Sequence, residues 1–303
     1  MNAPAARSAS LAGGLYRATV SAVGATLTTL RCSDRALIHG VDPVDVSQGY
    51  HSAVLAPWPN RIDRGAYQFA GTRYQLPIND EAYGHAIHGF VADAVWAWES
   101  RTDDTVTLST RIDPDPGYPH SLGLQVTYTV DGTGLSCRTV ATNLGDAPAP
   151  FGLGFHPYLT AGPHPLDEWV LHVPASHLLD VDPATLIPTD LVPTAGSGVD
   201  FRTPAAISTR AFSHAYTGWE TQGWHSVRVR DPSGSGVVLD MCPTFRWVQI
   251  FTADLPTPRH RRAGLGVEPM TCPPNALATG RDLSVLAPGG TTTATWRLRA
   301  EPS

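Results

Sequence analysis

Charge is scarce in this chain. Asp, Glu, Lys and Arg together make up 16% of its 303 residues, with a net charge of −6, against roughly 25% charged residues in soluble domains. No stretch gathers basic side chains into a face, so nucleic acid is not an expected partner. Cysteine is scarce too. Cys32, Cys137, Cys242 and Cys272 are scattered, with no CxxC pair; this argues against a disulfide framework and a zinc ribbon and fits a reducing cytoplasm. No apolar run approaches the roughly 20 residues of a membrane span, and the N-terminus lacks the continuous apolar core of a signal peptide. The expectation is a soluble, cytoplasmic protein with no membrane partner. Helical periodicity never persists beyond about two turns, and neither a repeat nor a linker divides the chain.

Turn-forming residues are plentiful, with 28 Gly and 27 Pro. Between them lie short Val- and Thr-rich segments of period two, which predict strands. They fall at residues 16–23, 25–31, 106–112, 169–173, 225–230, 237–241, 246–252, 283–286 and 291–298. Hairpins are predicted at residues 67–76, turning near Gly71, and at 122–142, turning across Asp131-Gly-Thr-Gly134. More than a dozen strands in one domain imply two large packed sheets. The predicted fold class is all-β, a large antiparallel β-sandwich. Residues 1–12 are expected to form a flexible tail and residues 13–303 a single domain.

Leu265-Gly-Val-Glu-Pro-Met-Thr-Cys-Pro-Pro-Asn-Ala276 is the strongest site candidate. Glu268 closes an apolar run, and Pro269 forces it into extended geometry, so it is expected at a strand end. A carboxylate in apolar surroundings on a stiff support has a raised pKa and suits proton transfer. Three further stretches supply partners. In Trp58-Pro-Asn-Arg-Ile62, Arg61 can fork onto hydroxyls or a carboxylate, or form an ordinary ion pair with Asp63 or a neighbour. In Gly84-His-Ala-Ile-His-Gly-Phe90, His85 and His88 lie three apart, a spacing weakly compatible with metal ligation, and Gly89 permits a sharp turn. In Phe151-Gly-Leu-Gly-Phe-His-Pro-Tyr-Leu159, His156 is fixed before a proline and beside Tyr158. Aromatic faces next to polar groups suit a sugar. Gln249, on the alternating strand Trp247-Val-Gln-Ile-Phe-Thr252, faces either a pocket or solvent. Phe212-Ser-His-Ala-Tyr-Thr217 adds Ser213 and His214, and the basic run Arg259-His-Arg-Arg262 reads as a solvated loop.

Taken in order, Asn60-Arg61-Ile62, Leu76-Pro-Ile-Asn79, His88-Gly89, Gly154-Phe-His-Pro-Tyr158, Gln249-Ile-Phe-Thr252 and Val267-Glu-Pro-Met-Thr271 resemble the aldose 1-epimerase (galactose mutarotase) family across roughly residues 15–298. The tail from Glu268 to Ala276 resembles the bacterial branch that includes the sulfoquinovose mutarotase. The resemblance implies a galactose mutarotase-like supersandwich with its sugar in an open cleft on one sheet. It implies a general base at Glu268, a general acid at His156, a second histidine near the ring oxygen at His88, and sugar contacts from Arg61, Asn60 and Gln249. Where the family commonly places Asp before His, this chain has Ser213 before His214, which carries no charge.

Interconverting α and β anomers needs one proton removed from the C1 hydroxyl and one delivered to the ring oxygen, so a carboxylate and an imidazolium on opposite sides of the anomeric centre suffice without metal or cofactor. Three alternatives stay open. One is a mutarotase of a sulfonated or phosphorylated sugar, with Arg259, Arg261 and Arg262 reaching the cleft. Another is a non-catalytic carbohydrate-binding protein. The third is a metal-dependent sugar enzyme using His85, His88, His156 and Glu268. A monomer and a homodimer are both compatible with the sequence.

Overall fold

Leu122–Asp131 and Gly134–Asn143 set the pattern for the molecule: along ten residues each, side chains alternate between buried and partly exposed, as a half-buried strand must. In the computed structural model, which describes residues 7–41 and 48–301, these two strands pair along their whole length at the middle of a nine-stranded sheet. That sheet runs from Ala97–Arg101 through Thr105–Ile112 and the hairpin to Thr291–Glu301, Gly236–Met241 and His225–Arg230, and ends at Val170–His172 and Ala205–Ala206. A second sheet of eight strands carries, in spatial order, Pro188–Pro193, Ala175–Val181, Ser213–Trp219, Trp247–Phe251, Leu265–Met270, Gly154–Phe155 and Val54–Leu55, with Tyr158–Leu159 also paired to Leu265–Met270. Every ladder between these strands is antiparallel. A four-stranded meander over Ser8–Gly13, Tyr16–Ser21, Leu27–Cys32 and Arg35–Ala36 adds a third layer.

The two large sheets meet through aromatic side chains. Phe155 of the eight-stranded sheet packs edge-to-face on Trp296 of the nine-stranded one at 5.3 Å between ring centroids, and Trp296 lies 6.3 Å from Tyr128. Val248, Ile250, Leu265 and Val267 join the same core. Strand alternation then turns the intervening Gln249 and Glu268 to the opposite face of their sheet. The site is built on that face.

Two expectations need correction. The tail predicted up to Ala12 is in part a strand: Ser8–Gly13 pairs with Tyr16–Ser21, and Leu11 is buried beneath it. Its small residues hid the alternation. Glu268 sits within Leu265–Met270 and not at a strand end. Pro269 lies opposite Phe155, and its missing N–H leaves a single gap between the Val267 N–H bond to Pro157 O and the Thr271 N–H bond to Leu153 O. The longest α-helix among the described residues is the single turn Ala276–Thr279.

Candidate active site

One strand organises the site. Leu265–Met270 pairs on one side with two short pieces of a single passing chain, Gly154 opposite Met270 and Tyr158 opposite Gly266. The register carries across the break between them and sets His156 opposite Glu268. On the other side Gln249 is registered with Glu268, and Ala215 with Gln249. One row across the sheet therefore reads His156, Glu268, Gln249, Ala215. Ser213, two residues along from Ala215, accepts a 2.8 Å hydrogen bond from Gln249 Nε2.

His156 Nε2 lies 3.3 Å from Glu268 Oε1, and both side chains are buried. The pair therefore stands side by side, not facing each other across a ring: no sugar atom fits between atoms that close. Burial pushes the Glu268 carboxyl up to about 8, against a weaker pull from the Arg61 charge. Burial pushes the His156 imidazole down to about 4, and the Arg61 charge adds to it. Desolvation is the dominant cause in both. Glu268 Oε2, His156 Nδ1 and Gln249 Oε1 are buried with no partner among the described residues, which leaves each able to hydrogen-bond a bound molecule.

His88 packs edge-on to His156 at 5.4 Å. It holds a positive φ of 64°, and a Cβ on the following Gly89 would come within 1.9 Å of the Ala56 carbonyl, so the turn requires glycine. His88 Nδ1 accepts the Asn60 backbone N–H at 3.1 Å, and the His88 N–H returns to Asn60 O. Burial drives the His88 pKa far down. The neutral ring must then carry its proton on Nε2, where it is a fixed donor.

Asn60 thus shapes the backbone: its Oδ1 also takes the Arg61 N–H at 2.8 Å. Arg61 pairs with Asp80 (Nε to Oδ2, 2.7 Å) and not with the adjacent Asp63, while its guanidinium lies over Tyr83, 5.2 Å from the ring centroid. Asn60, Arg61, Ser213 and Gln249 form the polar side of a narrow cleft whose other side is Leu179, Val181, Leu186 and Pro188.

Tyr158, like Glu268, His156 and His88, lies outside that lining. It stacks on His156 at 4.9 Å, and its hydroxyl donates to Gly49 O. His51 packs on Tyr158 in turn, buried and held neutral by desolvation. His214 is turned to the face opposite Ser213, beside Phe212. His85 leaves the site altogether: its Nδ1 accepts the Arg64 N–H and its Nε2 meets Thr185 O at 2.9 Å. A metal reading needed His85 to converge with His88, His156 and Glu268, and among the described residues no three His, Cys, Asp or Glu are placed to hold a metal ion. From the basic run, Arg262 is committed to Asp167 and Asp254, and Arg259 bonds His260. Sequence reasoning missed Asp80, Tyr83, His51 and the apolar wall around Leu186; a lone Asp or Leu on a loop gives no signal of its own.

Comparison with known proteins identifies the family. The profile of the family described as aldose 1-epimerase matches residues 7–299. YihR of Escherichia coli K12, an uncharacterised protein, is 35% identical, with 92% of this chain and 89% of that protein aligned. Human galactose mutarotase is 30% identical over 80% of this chain and 76% of its own length. In fold, the GalM/aldose epimerase homologue of C. elegans superposes with a TM-score of 0.86 at 19% identity, covering 97% of this chain and 98% of that one. Galactose 1-epimerase of Lactobacillus acidophilus superposes at 0.79 and 19% identity, covering 95% and 92%. With a family match over nearly the whole chain and a buried carboxylate–histidine pair on the open face of a large β-sandwich, this chain belongs to the aldose 1-epimerase family of isomerases.

Proposed function

We propose that the protein is a mutarotase of a free, uncharged hexose, with Glu268 as base, His156 as acid and His88 as a neutral donor to the ring. The observation that carries this reading is the buried 3.3 Å contact between His156 Nε2 and Glu268 Oε1. The two oxygens that must exchange protons, the C1 hydroxyl and the ring oxygen, are bonded to the same carbon. An acid and a base side by side can reach both.

The pair holds one titrating proton, which burial places on the carboxyl. Hydroxyls donating to Glu268 stabilise its ionised form and send that proton to His156. Glu268 then takes the C1 hydroxyl proton as His156 protonates the ring oxygen, and the C1–ring-oxygen bond breaks to give the open aldehyde. Rotation about C1–C2 presents the other carbonyl face. On reclosure the ring hydroxyl returns its proton to His156, and Glu268 returns its proton to the new C1 oxygen. Atoms and charges balance without a redox carrier.

An uncharged sugar is favoured by the lining. Ser213, Gln249 and Asn60 are neutral, the Arg61 charge is matched by Asp80, and Arg262 is spent on two carboxylates. The human relative is a galactose mutarotase, so galactose and glucose head the test panel, with sulfoquinovose as the anionic comparison. Saturation transfer between α and β C1 protons should show exchange well above the spontaneous rate for a neutral hexose. Glu268→Gln and His156→Ala, with unchanged circular dichroism, should each lose about 10²–10⁴-fold. Losses under about tenfold in both would reject the assigned roles.

A further inference from the structure

Both candidate-site histidines, His88 and His156, touch one short turn. Residues 49–52 include three left-handed backbones, with φ of 74° at Gly49, 55° at Tyr50 and 53° at Ser52. Residues other than glycine adopt that region rarely, and two so close together persist only where the surroundings over-determine them. The surroundings here are the segment that carries His156. Val54–Leu55 pairs with Gly154–Phe155, and the Ser52 N–H continues the tie with a 2.8 Å bond to His156 O.

Two consecutive side chains of the turn close a belt of five rings. The Tyr50 ring packs on His88 at 4.5 Å between centroids, and His88 meets His156 edge-on at 5.4 Å. His156 stacks on Tyr158 at 4.9 Å, and Tyr158 packs on His51 at 4.3 Å. The peptide bond between Tyr50 and His51 completes the circuit. Each end has its own backing. Tyr50, half-buried, lies against Ala53, Leu55 and Ala92. His51, 1% exposed, is covered by His39 and His260 at 5.6 and 4.9 Å. A side chain at Gly49 would crowd this end: a Cβ there would stand 3.3 Å from His51 Nε2, while Gly49 O accepts the Tyr158 hydroxyl.

What the belt does follows from how His156 is held. Its Nε2 faces Glu268, and its Nδ1 has no hydrogen-bond partner among the described residues. Packing therefore sets the plane of the imidazole, with Tyr158 stacked on it and the His88 ring at 74° to it. Proton transfer to an oxygen beside Glu268 tolerates little error in that plane, since a displacement of about 1 Å can cost about 10²-fold. Burial above all, with His156, His39, His260 and Arg259 adding to it, pushes the His51 pKa down to about 3. His51 is thus an uncharged ring at neutral pH. Resting on the mutarotase reading above, we infer that Tyr50 and His51 are positioning residues. From the two ends of the belt, through His88 and Tyr158, they hold the His156 imidazole in line with the anomeric centre. They act through their ring faces and not through their polar atoms.

The test is polarimetry of freshly dissolved α-glucose and α-galactose over a range of concentrations, giving kcat and KM, with a melting temperature for each protein. It compares the wild type with Tyr50→Ala, Tyr50→Phe, His51→Ala and His51→Phe. Both alanine variants should lower kcat about 10–100-fold and leave KM within about twofold. Both phenylalanine variants keep the ring and should hold kcat within about threefold of wild type. Tyr50 is only half-buried, so Tyr50→Ala carries the test even where His51→Ala fails to fold. Folded alanine variants with wild-type kcat would overturn the inference and leave the mutarotase reading intact. So would a raised KM at unchanged kcat in Tyr50→Phe, which would make that hydroxyl a sugar contact. A loss in His51→Phe equal to that in His51→Ala would overturn it too, by making the His51 nitrogens the working atoms. No acceleration of either hexose by the wild type would overturn the mutarotase reading itself, and the positioning roles with it.

Discussion

Glu268 and His156 each favour neutrality where they stand, one pushed up to about 8 and the other down to about 4. Between those limits the pair carries one proton, and only that form can act as base and acid together. Because the two groups touch, the values belong to the pair and not to either residue. The expected profile of kcat/KM against pH is therefore a bell. It falls below about 4, where a second proton removes the base, and above about 8, where loss of the single proton removes the acid. A profile flat from pH 7 to 10 would refute it. Stability carries the same signature. The folded pKa of Glu268 is raised from 4.5, so the folded protein keeps a proton that the unfolded chain has already released. Stability is lost as pH rises from 4.5 toward 8. Glu268→Gln removes that loss, so its melting temperature should exceed the wild-type value by a margin that grows between pH 5 and 8 and then levels off. A margin independent of pH would mean that the carboxyl is not held protonated.

The candidate site residues ride mostly on short or interrupted strands, and this decides which of them the sequence exposed. Gln249 was legible because it is the one polar side chain in Trp247–Phe251, whose Val248 and Ile250 join the core. Gly154–Phe155 is two residues long and has no period to read. His156 was found through its aromatic and proline neighbours instead. Ser213–Trp219, Ala175–Val181 and Pro188–Pro193 went unpredicted as strands. They form the rim of the cleft, where both faces are partly wet and the apolar alternation fades. Ala97–Arg101 is an exposed edge broken by a register shift, and it too lacks the pattern. The dependence of the site on its elements can be measured. Phe155 anchors the strand before His156 by packing on Trp296 and Phe245. Phe155→Ala should cost about 3–5 kcal/mol in chemical denaturation and lower kcat as His156 loses its seat. A stability loss under about 1 kcal/mol would show that the strand is held otherwise.

At the scale of the molecule, the all-β class and the antiparallel pairing were legible because long hairpins such as Leu122–Asp131 with Gly134–Asn143 write their burial directly into the chain. The assembly of the cleft was less so. Arg61 meets Asp80 across 19 positions, and Gln249 meets Ser213 across 36; contacts of that span leave no local period. Tyr83, Leu186 and the His85 contact to Thr185 come from loops whose only rule is the tertiary contact itself. The side-by-side placement of His156 and Glu268 also has a meaning for the protein as a machine. Under the proposed mechanism each turnover moves two protons out along one path and back along its reverse, through the same two side chains, and leaves both as they were. The enzyme therefore needs no resetting step between one sugar and the next. It works equally in either direction, with no proton relay to the surrounding water.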